Sequence, residues 1–282
     1  MEKSICKIIK KNSEGKKIEG SGFFCKFDKS NGFEKEMNLL ITNNHIIGND
    51  DLRLKTTISI FLDNNRYSAR LELDNSRRII FTDENLDFTI IEIINEDLIE
   101  FKSNIKNKGQ SITKKKIKEE CTFLEIGSNI TLEKETLKAL YEKEPVYIIH
   151  YPNSEVLSSF GLLNAIGETN KKIDYYVSTE EGSSGSPIFS LDSKKVIGLH
   201  KEASKNFEFN IGILMIDVIN EFSKNIANLI KNKFENKKVE HSSINNEIKL
   251  NNKTVNNNEN QNEQKNYELK KNVEQKDLKI FN

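Results

Sequence analysis

The chain has 282 residues, long enough to bury a sizeable core in one large domain or two. Its 43 basic and 43 acidic side chains balance, which argues against a nucleic-acid or anionic-membrane surface. No run reaches the ~18–20 apolar residues that cross a bilayer, and the amino-terminal "MEKSICKIIKKNSEGKK" has no apolar signal core. Cys6, Cys25 and Cys121 are too few and too scattered for a disulfide framework or a zinc site. The expectation is a cytoplasmic protein with free thiols and no metal or cofactor.

In chain order, the first hundred residues read as short strands: "ICKIIKK", "GSGFFCKF", "NLLIT", "TTISIFL", "YSARLEL" and "FTIIEI". Each is rich in β-branched or aromatic residues and bounded by turn residues, the spacing of an all-β sandwich or barrel. Residues 101–144 are Lys/Glu-rich and read as a charged connection, with helical spacing in "LEKETLKALYEKE". Strands return in "PVYIIHY", "SSFGLLNAIG", "IDYYVST", "SPIFS", "KVIGLH" and "FNIGI". Ile216, Ile219, Phe222, Ile226, Leu229 and Ile230 recur at three and four, which predicts an amphipathic helix packed on the last strands. Beyond Glu235 apolar side chains nearly vanish, so 235–282 is expected to be an Asn/Lys-rich disordered tail, with docking of a protein partner as its sharper reading.

One stretch concentrates glycine and proline. "STEEGSSGSPIFS", Ser178 to Ser190, holds two of 13 glycines and one of 3 prolines. Glycines at Gly182 and Gly185 give the chain tight or positive-φ geometry on both sides of Ser184, and could aim the Gly182 and Ser184 N–H groups at one point. A plain surface turn has the same composition. Histidine is scarce. His241 falls in the tail, His150 ends the strand "YIIHYP" and reads as structural, and His45 follows "NLLIT" where a strand gives way to a turn. Asp87 opens the apolar strand "DFTIIEI", with Asp83 and Glu84 as rivals. Cys25 and Cys121 read as core thiols.

Taken together, "GSGFF", "LLITNNHII", "NLDFTIIEI" and "GSSGSPIF" occur in the order His, Asp, Ser and resemble the trypsin/chymotrypsin-fold serine peptidases. "TNNHII" and "VSTEEGSSGSPIF" are most similar to the glutamyl endopeptidase-like branch. The resemblance covers about Ser4 to Phe222 and is thin across 102–144. It implies two six-stranded antiparallel β-barrels, one at about 1–100 and one with the terminal helix at 145–234, together forming a peptidase domain over 1–234. It also implies His45 as general base, Asp87 as its orienting acid, Ser184 as nucleophile, and the Gly182 and Ser184 N–H groups as oxyanion hole.

In that fold the side chain before the cut enters a pocket formed just ahead of the nucleophile. The position that is acidic in trypsin-like pockets is Ser178, which is neutral. Thr179 and His200 match the threonine and histidine that bind an acidic side chain in the glutamyl branch. Glu180, Glu181 and Lys201 depart from that branch. The expected function is an intracellular serine endopeptidase acting on polypeptides; the alternative is a peptidase-like module that binds peptides without cutting them.

Overall fold

The computed structural model describes residues 3–12, 14–105, 109–127, 134–167, 172–206 and 208–231. The chain divides into two units, Met1–Lys233 and Phe234–Asn282. The second unit, where the expected tail and its partner segment fall, lies outside the described residues.

Strands β1 (Ile5–Lys11), β2 (Lys17–Phe27), β3 (Met37–Thr42), β4 (Thr57–Leu62), β5 (Tyr67–Glu72), β6 (Ile80–Asp83), β7 (Phe88–Glu92), β8 (Leu98–Ile105) and β9 (Gly109–Lys116) form one antiparallel sheet. Its order is β6-β7-β3-β2-β1-β4-β5-β8-β9. Successive side chains of a strand point to opposite faces, and one face gathers Ile8, Phe24, Leu40, Ile60, Leu71, Ile91 and Ile99 into a single core. Strands from both ends of the sheet share that core, so the sheet curls around it. It does not close. The edge of β5 pairs with β8 through Tyr67↔Phe101, Ser68↔Glu100 and Ala69↔Ile99, so that edge is already occupied and the sheet extends to nine strands. This corrects the expected first six-stranded barrel, and places a hairpin, β8–β9, where the sequence reads as a charged connection.

The second half meets the expectation. Strands β10 (Pro145–His150), β11 (Leu157–Ile166), β12 (Lys172–Tyr176), β13 (Pro187–Ser190), β14 (Val196–Ala203) and β15 (Asn210–Leu214) close into a six-stranded barrel, β10-β11-β12-β15-β14-β13. Its interior holds Val146, Ile148, Leu163, Ile173, Tyr175, Ile188 and Leu214.

Short helices α1 (Asn49–Arg53), α2 (Ile117–Glu120) and α3 (Lys134–Tyr141) precede the barrel, and α4 (215–231) follows it. The apolar stripe of α4 buries Val218, Ile219 and Phe222. Phe222 lies 6.0, 5.8 and 5.9 Å, ring to ring, from Phe27, Phe33 and Phe81 of the first half. The helix therefore packs in the seam between the two halves, beside a third core that joins Phe23, Ile41 and Phe88 to Phe189, Leu199 and Ile213. Periodicity identifies the apolar face of α4; it carries no information on which sheet that face meets.

Candidate active site

His45 sits in the turn after β3. Ile46 and Ile47, 4 % and 0 % exposed, anchor the turn in the core, and both their N–H groups donate to the Asn43 carbonyl. His45 itself is turned outward, its side chain 45 % exposed. Asp87 closes the turn before β7 with φ at +63°, the left-handed region that aspartate tolerates better than most residues. Asn43 Nδ2 donates to the Asp87 carbonyl over 2.9 Å, fixing this bend. The Asp87 carboxylate is 5 % exposed as a residue and receives two donors from His45: the backbone N–H on Oδ1 at 2.9 Å, and Nδ1 at 2.8 Å from Oδ2. With Nδ1 committed as donor, His45 presents Nε2 as the free acceptor. The rivals Asp83 and Glu84 do not take this place; Asp83 Oδ1 caps the turn by accepting from the Leu86 N–H at 2.8 Å.

Ser184 lies in the turn between β12 and β13, clamped to the first half by Ser21 of β2. The Ser21 N–H donates to the Ser184 carbonyl at 2.7 Å, and its hydroxyl to the Gly182 carbonyl at 2.7 Å. Thr42 Oγ1 donates in turn to the Ser21 carbonyl at 2.8 Å. This closeness explains the glycines. A Cβ on Gly185, at φ +89°, would stand 2.0 Å from the Ser21 carbonyl oxygen; one on Gly182, at φ +94°, would stand 2.6 Å from that of Tyr151.

Among the described residues the Gly182 and Ser184 N–H groups donate to no protein acceptor, whereas those of Ser183, Gly185 and Ser186 are paired with Glu180, His200 and Ser183 carbonyls. Each free N–H is aimed by the carbonyl at the other end of its planar peptide. The Glu181 carbonyl accepts from the Asn153 N–H at 3.2 Å, and the Ser183 carbonyl accepts from Ser186 N–H at 3.1 Å and Ser186 Oγ at 2.6 Å.

Lys201 ties the two parts together. It is the bulged residue of β14, between His200↔Gly212 and Glu202↔Ile211. Its carbonyl accepts from Ser184 Oγ at 3.0 Å, while its Nζ lies 3.9 Å from Asp87 Oδ2. Ser184 and the His45–Asp87 pair thus flank one residue. Neither Ser21 nor Lys201 stands out in sequence as functional; the glycines around Ser21 in "GSGFF" are the only sign of a crowded strand.

The expected pocket residues are distributed differently. Ser178 is exposed. Thr179 Oγ1 donates to Asn210 Oδ1 at 2.7 Å. His200 is 3 % exposed, and its Nδ1 is hydrogen-bonded to the hydroxyl of buried Tyr175. Burial, then the fields of His150 and His45, push its pKa down to about 3, so the ring is neutral. The Tyr175 phenol is itself shifted strongly upward by burial and stays protonated. It is therefore the donor to Nδ1, and the His200 hydrogen resides on Nε2.

Residues 20–199, more than half of the chain, match the trypsin-like peptidase domain family. The chain belongs to that family. No curated protein shows detectable similarity to it. Among solved structures it is similar to the serine endoprotease from Yersinia pestis, with a TM-score of 0.51 and 14 % identity over 82 % of this chain and 64 % of that one. The chain thus spans less than two thirds of that protein's length. It is similar too to the active form of the Rv3671c protease from M. tuberculosis, with a TM-score of 0.50 and 14 % identity over 79 % of this chain and 81 % of that one. These likenesses are of fold. Among the described residues no helix is long and apolar enough to cross a membrane.

Proposed function

We propose that this chain cuts polypeptides with Ser184 as nucleophile, His45 as general base and Asp87 as the group that orients His45. The observation that carries the reading is the double grip of Asp87 on His45, at N–H and Nδ1, with Nε2 left as acceptor. In the cycle, Ser184 Oγ leaves the Lys201 carbonyl, attacks the substrate carbonyl carbon and passes its proton to His45 Nε2. The oxyanion forms against the Gly182 and Ser184 N–H groups. The C–N bond then breaks as His45 protonates the departing amine, leaving an acyl ester on Ser184. Water, deprotonated by His45, attacks that ester and restores the serine.

The test is peptide hydrolysis combined with labelling by a fluorophosphonate. Ser184→Ala abolishes labelling, and Asp87→Asn lowers kcat by roughly four orders of magnitude through loss of the His45 tautomer. An Asp87→Asn variant with near-native turnover rejects the triad. A wild-type chain that binds peptides but is neither labelled nor active is the peptide-binding alternative.

The finer reading is a preference for an acidic residue before the cut, with Ser178, Thr179 and His200 lining the pocket. It is supported by the Nε2–H that Tyr175 fixes on His200, a buried donor suited to a carboxylate oxygen. Because the ring is neutral, selectivity for Glu over Gln is about tenfold, near the lower bound for a hydrogen bond to a charged group. A library profile dominated by Phe, Leu or Lys before the cut rejects it. A reducing, cytoplasmic setting is supported by the thiols: Cys6, Cys25 and Cys121 are all free and buried, and burial raises all three pKa values, to about 12 for Cys121.

A further inference from the structure

The segment 150–153 runs along the turn that carries Gly182 and Ser184, and three of its contacts with that turn matter here. The Tyr151 carbonyl abuts Gly182, the Asn153 N–H holds the Glu181 carbonyl, and His150 Nδ1 lies 2.7 Å from Ser183 Oγ. The last contact can be worked out atom by atom. Ser183 Oγ accepts from the Glu180 N–H at 3.1 Å, so its own proton is available for His150. Nδ1 then accepts, the ring hydrogen resides on Nε2, and Nε2 faces Ser159 Oγ at 3.1 Å. Burial holds the His150 pKa down at about 4, which keeps Nδ1 unprotonated and able to accept.

This pair is not a second nucleophile and base. Ser183 is 0 % and His150 2 % exposed, so no scissile carbonyl reaches them. What the contact does is complete Ser183. Its N–H is given to the Glu180 carbonyl, its carbonyl receives Ser186, and its hydroxyl both accepts from Glu180 and donates to His150. The residue directly before the nucleophile is thereby fixed at every polar atom, and its carbonyl shares a rigid peptide with the Ser184 N–H.

We propose that His150 is a positioning residue for the oxyanion hole: it holds the Ser183 hydroxyl and so keeps the Ser184 N–H aimed beside the Gly182 N–H, whose peptide Asn153 holds through the Glu181 carbonyl. The inference rests on the assignment of Ser184 as nucleophile, and the two can fail separately. Fluorophosphonate labelling of the full chain decides the first; absence of label at Ser184 overturns that assignment and this inference with it.

With Ser184 labelled, His150→Phe and Ser183→Ala are expected to lower kcat on a peptide substrate roughly 10- to 100-fold, with KM changed less than about threefold. Both should weaken a peptide aldehyde inhibitor, whose hemiacetal oxygen occupies the oxyanion site, by a similar factor. The double variant should be no worse than the poorer single, since both remove one interaction. His150→Asn keeps an acceptor near the Nδ1 position and should regain kcat to within about threefold of wild type by restoring the Ser183 contact. Should His150→Phe fail to fold, Ser183→Ala removes one oxygen and carries the test. Normal kcat and normal aldehyde affinity in folded, labelled Ser183→Ala overturn the proposal, as does a loss that His150→Asn does not recover.

Discussion

Two neutral histidines buried in one barrel make the protein sensitive to mild acid. His150 and His200 have pKa values lowered to about 4 and about 3, in each case first by burial. In the unfolded chain both return to about 6.5. The unfolded state therefore binds more protons than the native state across this interval, and stability falls as pH falls. The contribution is fully present above about pH 6.5 and is lost progressively toward pH 4 and below. Between pH 7 and pH 5 the two sites together cost on the order of 4 kcal/mol. That is a large share of the 5–15 kcal/mol typical of a folded domain. Glu120, whose carboxyl is held at about 2 by Lys115 and Lys3, titrates below this range. Urea unfolding of the wild-type chain at pH 7 and pH 5 checks the figure, with the midpoint falling at constant m. His150→Asn and His200→Gln should each halve the pH dependence. A wild-type loss of under about 1 kcal/mol over this interval would show that the protonated rings are accommodated in the folded state, and would refute the reasoning.

The close approach at the turn that carries the proposed nucleophile makes Gly185→Ala severe: a Cβ 2.0 Å from the Ser21 carbonyl cannot be fitted at φ +89°, so hydrolysis should fall at least about 100-fold and any folded protein melt lower. Arg78 and Asp97, 3 % and 7 % exposed, form a two-point ion pair at 2.8 and 2.9 Å. Arg78→Ala should cost about 3–5 kcal/mol by urea unfolding, while Arg78→Met with Asp97→Leu recovers most of it. Ending the chain after Lys233 should leave the melting temperature and small-peptide hydrolysis unchanged, because the apolar positions of α4 end at Ile230 and the segment beyond is polar; a fall of about 5 °C or more would contradict this boundary.

Twelve of the strands carry a dense β-branched or aromatic signal, and the sequence pattern locates them. The remaining three do not announce themselves. β6 has only four residues, and β8–β9 is held by its backbone ladder, by pairs such as Lys114–Glu100 at 3.0 Å, and by Ile99 and the Phe101 ring against Tyr67, while Leu98 and Ile112 are exposed. A strand stabilised mainly by its neighbour's backbone leaves no periodicity to read. Those three strands are also why the first half differs from the second: β8 takes the β5 edge, and β6 ends the sheet without returning to close it.

The candidate site shows the same division between contacts that constrain sequence and contacts that do not. Gly182 and Gly185 are legible because neighbouring carbonyls, from Tyr151 and Ser21, come so close that no side chain fits. A steric exclusion leaves one residue type, so a contact between distant parts of the chain is recorded locally. His45 and Asp87 are legible because few residue types can perform the proton transfer and orientation proposed for them. The His150–Ser183 hydrogen bond has neither property: many donor and acceptor pairs could fill that space, so His150 reads as an ordinary strand-end residue. Lys201 is hidden for another reason. Only a bulge brings its carbonyl and its ammonium to the same site, and the register shift that makes the bulge belongs to the pairing of β14 with β15. Positioning groups around the proposed nucleophile are therefore found from hydrogen-bond geometry, as at Ser183, whose N–H, carbonyl and hydroxyl are all paired.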